Sequence, residues 1–357
     1  MKTIWQKFWK RIVICSSIII MLALSIIGND FFSSLLLLKP SVPNHDSMQL
    51  HIVDVGQGSA TLIRFSSGET MLIDSGDSSN RSKLINYINN IFFNGTQRHF
   101  NYVILTHSDS DHSGNMKYII DHYSIDSFYR PNILSTVAGE AGIGYEDDSV
   151  EYGALITTLN SKNINVVTNF EGVSISNGNN TLLNMYSPRK ETYDNTNDYS
   201  PIMILGDEFK VCITGDASSN IEKQVAEELP DVDVLVAGHH GSETSTSMQL
   251  MEATLPEYVA VSVGVNTYGH PSSQLYDTLA EYDYIYNKST MQTKMLTLDY
   301  GNIMYYMENN NIEIATIKNV NDYLFVDYYV FVVGACLILA AVIVVPIIKD
   351  KKGEENN

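Results

Sequence analysis

Four residues that can bind a metal ion lie within six positions in the segment ILTHSDSDHSGN. They are His107, Asp109, Asp111 and His112, and they directly follow an apolar stretch that predicts a β-strand. Grouping imidazoles and carboxylates this densely is costly unless a positive charge lies among them. Imidazole nitrogen and carboxylate oxygen are ligands for zinc, manganese and iron. The alternative is a polar helix cap with surface histidines, because Ser and Asp are favoured at helix N-termini.

Other predicted strands also end in residues of this kind. CITGD ends at Asp216, VLVAGHHGS contains His239 and His240, and YGHP contains His270. A single histidine at a strand end is usually structural. Several such ends are better explained by one shared site, and this favours a metal centre.

The motifs of the chain, taken in order, resemble a known family. They are VDVGQGSATLI, MLIDSGD, LTHSDSDHSGN, ITGD, GHHGSETSTS and NTYGHP. This series resembles the metallo-β-lactamase-fold hydrolases, in particular the hydrolase domain of the ComEC proteins of DNA internalisation, over residues 48 to about 300. The resemblance implies an α+β fold, a four-layer αββα sandwich with metal at one edge of its two sheets. ComEC proteins also carry a many-helix channel domain, whereas this chain has two candidate membrane spans.

The resemblance also implies a set of metal ligands, which are His107, Asp109, Asp111, His112, Asp216 and His239. The first two would serve one metal and the next two the other, with Asp216 bridging and His239 completing the second site. The implied catalytic residues are Asp111, His240 and His270; the two histidines would orient substrate or donate a proton. Asp74 of LIDSG would support the site from behind.

Two departures from the wider superfamily affect the first metal site. The superfamily has His where Asp109 stands, and it supplies a further His before ITGD, where this chain has only His122. The polar residues that could fill this corner are Asn195, Asn197, Asp198 and Ser200. We therefore expect one or two divalent metal ions, zinc or manganese, and a single-metal enzyme remains open.

Apolar segments near both ends predict membrane anchors. Residues 12–28 follow four cations, and residues 328–348 precede the cationic sequence KDKK. Positive charge at the outer end of each segment predicts cytoplasmic termini and an extracellular middle domain at the cell membrane. A signal peptide is the alternative for the first segment. The remaining predicted parts are cytoplasmic tails at 1–11 and 349–357, a linker at 29–47 and the metallo-β-lactamase-like domain at 48–316.

Composition limits the partners of the domain. The formal net charge is -19, and most of the acidic residues lie between the two apolar segments. Such a surface does not by itself attract nucleic acid or anionic lipid. The three cysteines, Cys15, Cys212 and Cys336, are too few and too scattered for a disulfide framework or a thiolate zinc site. Protein partners are not predicted.

Three functions fit these features. We favour a membrane-tethered nuclease or phosphodiesterase that uses metal-bound hydroxide, because paired metals stabilise both the attacking and the leaving oxygen. Its substrate would be nucleic acid or a small phosphoester, and the ComEC resemblance implies a role in DNA uptake. The alternatives are a metallo-hydrolase of another ester, a lactone or an amide at the cell surface, and a non-catalytic, metal-stabilised surface domain.

Three further segments have simpler interpretations. SETSTS, after the two adjacent histidines, either binds phosphate or is a solvated loop. TGDASSNIEKQVAEEL predicts a capped amphipathic helix whose charges face solvent. Residues 131–200 are polar and show only weak strand patterns, such as TLLNMYS.

Overall fold

The computed structural model describes residues 47–317, except residues 96–97, 163, 169, 179 and 293–295. The predicted terminal tails and the two predicted membrane anchors lie outside the described residues. Within the described range, no helix is both long enough and apolar enough to cross a membrane.

The described residues form sixteen strands and eight α-helices. The strands are β1 (Gln49–Ile52), β2 (Thr61–Arg64), β3 (Thr70–Ile73), β4 (His99–Ile104), β5 (Ser124–Tyr129), β6 (Ile133–Ser135), β7 (Tyr145–Asp147), β8 (Asn165–Val167), β9 (Ser174–Asn177), β10 (Asn180–Met185), β11 (Met203–Leu205), β12 (Val211–Ile213), β13 (Val234–Val236), β14 (Tyr258–Ala260), β15 (Asn302–Glu308) and β16 (Asn311–Ile317). The helices are α1 (Arg81–Tyr87), α2 (Ser110–Ser113), α3 (Met116–His122), α4 (Val150–Ser161), α5 (Ser219–Val225), α6 (Met248–Thr254), α7 (Ser273–Tyr286) and α8 (Thr297–Tyr300).

Most strands belong to two large sheets. The first has eight strands in the order β16-β15-β1-β2-β3-β4-β5-β8, and the second has six in the order β14-β13-β12-β11-β10-β9. Strands β6 and β7 form a separate pair. In the first sheet β3, β4, β5 and β8 are parallel, and in the second β12, β13 and β14 are parallel.

The alternation of side chains along the strands produces the layers. In β3, Met71 and Ile73 lie in a buried cluster shared by both sheets, whereas Leu72 lies in a cluster with side chains of α1, α3 and α4. In β12, Ile213 points into the shared cluster and Cys212 into a third cluster, with side chains of α5, α6 and α7. Because successive side chains of a strand point to opposite faces, three apolar clusters separate four layers. The metallo-β-lactamase sandwich, helix–sheet–sheet–helix, is confirmed.

Residues 131–200 contain the expected strands, TLLNM among them in β10, and also a helix that we did not predict, α4. Its residues Tyr152, Leu155, Ile156 and Leu159 are buried, and the Ser149 side chain caps its N-terminus by accepting the N–H of Tyr152. These four positions have the spacing of one helix face. We missed the helix because the Asn- and Ser-rich segments around it dominate the local composition.

Parallel pairing brings the candidate residues to one region. The carboxyl ends of neighbouring parallel strands lie at the same edge of a sheet. Asp74 follows β3, the ILTHSDSDHSGN segment follows β4, and Asp216 follows β12. His239 and His240 follow β13, and the segment with His270 follows β14. Each candidate residue therefore lies on a loop or a short helix that follows the end of a buried strand.

Candidate metal centre

The segment after β4 combines a loop with a single helical turn. His107 and Asp109 lie in the loop, and Asp111 and His112 lie in α2. The side chain of Asp109, at the N-cap position, makes no capping hydrogen bond. The helix-cap interpretation of the acidic residues therefore does not account for Asp109, and its carboxylate is free for other contacts.

Asp74 holds His112 from behind. One Asp74 carboxylate oxygen accepts the N–H of Thr106 at 2.8 Å, and the other accepts the Thr106 hydroxyl at 2.8 Å. The second oxygen also lies 2.7 Å from His112 Nδ1. A carboxylate only accepts hydrogen bonds, so His112 carries its proton on Nδ1 and turns Nε2 inward.

His107, His112 and Asp216 form the first group of donor atoms. One potential ligand atom from each lies within 4.8 Å of the others, and all three residues are buried. His107 Nδ1 lies 3.0 Å from Thr106 Oγ1 and 3.3 Å from Ser200 Oγ. His107 Nε2 is buried without a hydrogen-bond partner among the described residues, 3.8 Å from Asp216. An imidazole nitrogen left unpaired beside a buried carboxylate is suited to a cation.

Asp111, His112 and His240 form a second group with ligand atoms within 4.8 Å. His240 Nδ1 lies 2.9 Å from the carbonyl oxygen of Ser262, so it carries the proton in the neutral ring. The Nε2 atoms of His112 and His240 then face each other, 3.2 Å apart, with Asp111 3.1 Å from His240 Nε2. Asp216 also lies 3.2 Å from His112 Nε2, so two imidazole nitrogens and two carboxylates converge on one space, and this combination of ligands suits a divalent cation. The residues present fit a divalent metal.

Three of the residues implied by the resemblance lie around these groups. His239 Nε2 is 3.5 Å from Asp216, and its Nδ1 is 3.1 Å from Thr244 Oγ1. Asp109 is 3.7 Å from His107 Nε2, and its other oxygen accepts the Thr196 hydroxyl. The ring centroid of His270 lies 5.4 Å from that of His239. Among the described residues, none of these three belongs to a group of three donors within 4.8 Å.

Residues 195–200, which we expected to replace the missing histidine, lie beside the first donor group. Ser200 contacts His107 and also accepts the backbone N–H of Asp216 at 3.1 Å. Thr196 donates to Asp109, and Asp198 accepts the N–H of Ser218 at 3.4 Å. The segment therefore supplies hydrogen bonds to residues of the site.

Electrostatic coupling among these groups is strong. Burial alone would lower the pKa of His112, but Asp216 and Asp74 raise it well above its usual value. Burial opposes ionisation of Asp216, yet the neighbouring imidazoles hold its pKa well below the usual range. Burial lowers the pKa of His107, and the nearby His112 acts in the same direction. The buried carboxylate of Asp216 is therefore ionised, and imidazole nitrogens surround it.

Glu222 on α5 holds the loop that contains the two adjacent histidines, and no sequence motif had indicated this role. His239 and His240 have positive φ angles of 51° and 55°, and Gly238 N–H donates to the Thr246 hydroxyl at 2.9 Å. The N–H groups of Thr246 and Ser247 donate to the two carboxylate oxygens of Glu222 on α5, at 2.6 and 2.8 Å.

This contact corrects two sequence interpretations. We expected the charges of the α5 segment to face solvent, but Glu222 is fully buried. Burial raises its pKa, and the bonds from Ser247 and Thr246 act in the opposite direction. Five side chains of SETSTS are engaged within the protein. Thr246 accepts the N–H of Gly238, Ser245 donates to the carbonyl of Ala217, Ser247 caps α6, and the hydroxyls of Ser242 and Thr244 contact each other. Nothing in the pattern of charges distinguished Glu222 from its exposed neighbours.

The chain matches a family model. The model described as the metallo-beta-lactamase superfamily covers residues 53–264. The chain therefore belongs to the metallo-beta-lactamase superfamily, and it is a hydrolase of that superfamily. The fold implies divalent metal ions, which the two donor groups could hold.

Two curated proteins indicate a narrower group of relatives within the superfamily. Recombination protein 2 of Haemophilus influenzae is 27% identical over 234 residues, which are 65% of this chain and 26% of that protein. ComE operon protein 3 of Bacillus subtilis is 24% identical over 182 residues, 50% of this chain and 22% of that protein. The chain thus spans about a quarter of the length of these relatives. The matches confirm the resemblance to a ComEC-like hydrolase domain.

The chain is also similar, more distantly, to solved structures. The metallo-beta-lactamase fold protein YhfI of Bacillus subtilis aligns with 73% of this chain and 100% of its own, with 13% identity and a TM-score of 0.46. Igni18, a metallo hydrolase of Ignicoccus hospitalis, aligns with 76% of this chain and 100% of its own, with 15% identity and a TM-score of 0.43.

Proposed function

We propose that this hydrolase cleaves phosphodiesters with one or two divalent ions, zinc or manganese. The observation that carries the proposal is the pair of donor groups that share His112, one completed by His107 and Asp216 and the other by Asp111 and His240. Two adjacent cation positions suit phosphodiester hydrolysis, because the attacking and the leaving oxygen both need positive charge. The resemblance to ComEC-like domains supports the same reaction by analogy.

The residues divide into ligands and supports. His112 would bind one ion through Nε2, either with His107 and Asp216 or with Asp111 and His240, because Asp74 engages its Nδ1. The remaining donors of the other group would contribute to a second ion. Bound there, a divalent ion supplies Lewis acidity, which polarises a phosphoryl oxygen and makes water a better nucleophile at neutral pH. His239 and Asp109 lie close enough to Asp216 and His107 to act as further ligands.

Supporting hydrogen bonds set the direction of each imidazole. Asp74 fixes the Nδ1 proton of His112, and the Ser262 carbonyl fixes that of His240. Such supports raise ligand basicity and hold the ring in place. His270 lies beside His239 and His240 at the rim, and we assign it to contact with the substrate. The supporting hydrogen bonds therefore orient the imidazoles before substrate binds.

The proposal includes the kind of substrate and the location. The strongly acidic chain favours a small phosphoester or a nucleic-acid strand end over a long duplex, because a long polyanion is repelled. The apolar segments at 12–28 and 328–348 support tethering to the cell membrane, with the catalytic domain outside and the termini in the cytoplasm. Resemblance to ComEC proteins supports a role in DNA uptake.

The test uses metal-stripped protein reloaded with zinc or manganese. It is assayed on the p-nitrophenyl ester of thymidine 5′-monophosphate and on single- and double-stranded DNA, beside Asp111→Ala and His112→Ala. The chain offers a matched control, since Asp121 and His122 repeat the same dipeptide on the exposed end of α3. Asp121→Ala and His122→Ala remove the same groups away from the site.

Cleavage that depends on metal and is lost only in the Asp111 and His112 variants is the expected result. A wild-type protein that binds metal but cleaves none of these substrates would contradict the phosphodiesterase proposal. It would favour hydrolysis of another ester, a lactone or an amide.

A further inference from the structure

The loop between β14 and α7 presents an aromatic side chain to solvent beside the donor groups. Tyr268 is 75% exposed. Exposure of a single aromatic residue is common and by itself indicates nothing. Two further features indicate a role for Tyr268. Hydrogen bonds order the backbone of its loop, and a series of neighbouring rings connects it to the donor groups.

The side chain of Asn266 holds the backbone of this loop. Its Oδ1 accepts the N–H groups of Tyr268, Gly269 and His270 at 3.0, 3.0 and 3.1 Å. Its Nδ2 donates to the carbonyls of Gly264 and His270 at 2.9 and 2.7 Å. The exposed loop is therefore ordered before a ligand binds, which lowers the entropy cost of binding.

Aromatic rings connect Tyr268 to the donor groups. The ring centroids of Tyr268 and His240 lie 5.8 and 6.5 Å from that of His270, on interplanar angles of 31° and 30°. His240 in turn lies within hydrogen-bond distance of Asp111 and His112. Tyr268 is thus the outer end of a line of rings that begins at the site and reaches the surface.

The charge of the chain explains what such a ring would provide. Because the chain is strongly acidic, a substrate phosphate gains little from long-range attraction. Uncharged groups can add affinity to that of the metal contacts without depending on the net charge. Stacking of a nucleobase on an aromatic side chain contributes about 1–3 kcal/mol per base and tolerates any base.

We infer that Tyr268 is a stacking platform for the base next to the scissile phosphate, so that the substrate class is a nucleotide phosphodiester with an unpaired base. The inference rests on the proposed function. Tyr268 acts on substrate binding and not on the metal, and its removal raises KM without changing kcat.

The experiment compares two chromogenic diesters that differ in the presence of a base. One is the p-nitrophenyl ester of thymidine 5′-monophosphate, and the other is methyl p-nitrophenyl phosphate. Tyr268→Ala raises KM for the thymidine ester about tenfold, leaves kcat unchanged, and leaves KM for the methyl ester unchanged. Tyr268→Phe keeps the ring and the wild-type KM. Tyr284→Ala, 89% exposed near the far end of α7, is the matched control and changes nothing.

The outcomes separate the two proposals. An unchanged KM for the thymidine ester in Tyr268→Ala, or an equal rise for both esters, overturns the stacking role while leaving the phosphodiesterase intact. If metal-loaded wild type cleaves neither ester, the proposed function fails, and the stacking role fails with it. Because Tyr268 is exposed, loss of folding does not confuse the comparison, and unchanged thermal unfolding verifies this.

Discussion

Replacing Glu222 by Gln tests how the histidine loop is held. The carboxylate accepts two backbone N–H groups, from Thr246 and Ser247. A carboxamide can accept only one of them, and its own N–H₂ faces the other donor. A buried N–H without an acceptor costs about 1–3 kcal/mol. Each kcal/mol lowers the melting temperature of a domain of this size by about 2–4 °C.

The same change should weaken metal binding. Thr246 also accepts the N–H of Gly238, directly before His239 and His240, so a displaced Thr246 releases the loop that carries them. We expect the affinity for zinc or manganese to fall about tenfold, as for other residues that orient ligands. Urea denaturation measures the free energy of unfolding, and calorimetric titration of metal-stripped protein measures the affinity.

A half-buried carboxylate elsewhere in the fold provides the control. Glu140 pairs with Arg130 and accepts the N–H of Ser135, away from the donor groups. Glu140→Gln should lower stability and leave metal affinity unchanged. If Glu222→Gln lowers stability to a similar extent but binds metal as tightly as wild type, the positioning of the histidine loop by Glu222 is refuted.

Three further predictions concern other parts of the fold. Burial lowers the pKa of His51 to about 3, below its unfolded value near 6.5, so its stabilising effect is complete above pH 6.5 and is lost as pH falls towards 3. His51→Gln should therefore reduce the loss of unfolding free energy between pH 6.5 and pH 5 by about 2 kcal/mol, measured by urea denaturation at both values; equal losses would contradict this. Asp74→Asn can present an N–H₂ to His112 Nδ1 and force the wrong tautomer, so metal affinity should fall about 10- to 100-fold, and calorimetric titration that shows wild-type affinity would argue against it. A Cβ at Gly264 would lie 2.3 Å from the carbonyl carbon of Gly56, so Gly264→Ala should cost about 1–3 kcal/mol, and a denaturation midpoint equal to wild type would exclude the clash.

Much of the fold could be predicted because strand ends and chemical motifs coincide in this chain. Short apolar runs identify strands such as β3 and β12, and polar groups follow directly after them. Helix α4 shows the limit of this approach. The spacing of Tyr152, Leu155, Ile156 and Leu159 is present in the sequence, but Gly153 and the β-branched residues of the helix weaken its intrinsic propensity.

The sequence predicts which residues belong to the site, but it does not predict which of them contact one another. The motifs identify both His239 and His240, yet only three-dimensional structure shows that His240 lies against Asp111 and His112. Both residues have left-handed backbone angles, so no periodicity indicates which ring points inward. Likewise, the burial of Glu222 depends on a loop 24 residues later in the chain, a contact that no local pattern contains.

Metal titration of His112→Ala tests the central claim most directly, because His112 belongs to both donor groups. Metal-stripped wild type should bind one or two zinc or manganese ions per chain, and His112→Ala should bind none at the same concentrations. His122→Ala should match wild type. Wild-type stoichiometry and affinity in His112→Ala would contradict the account, because the shared imidazole would then hold no metal.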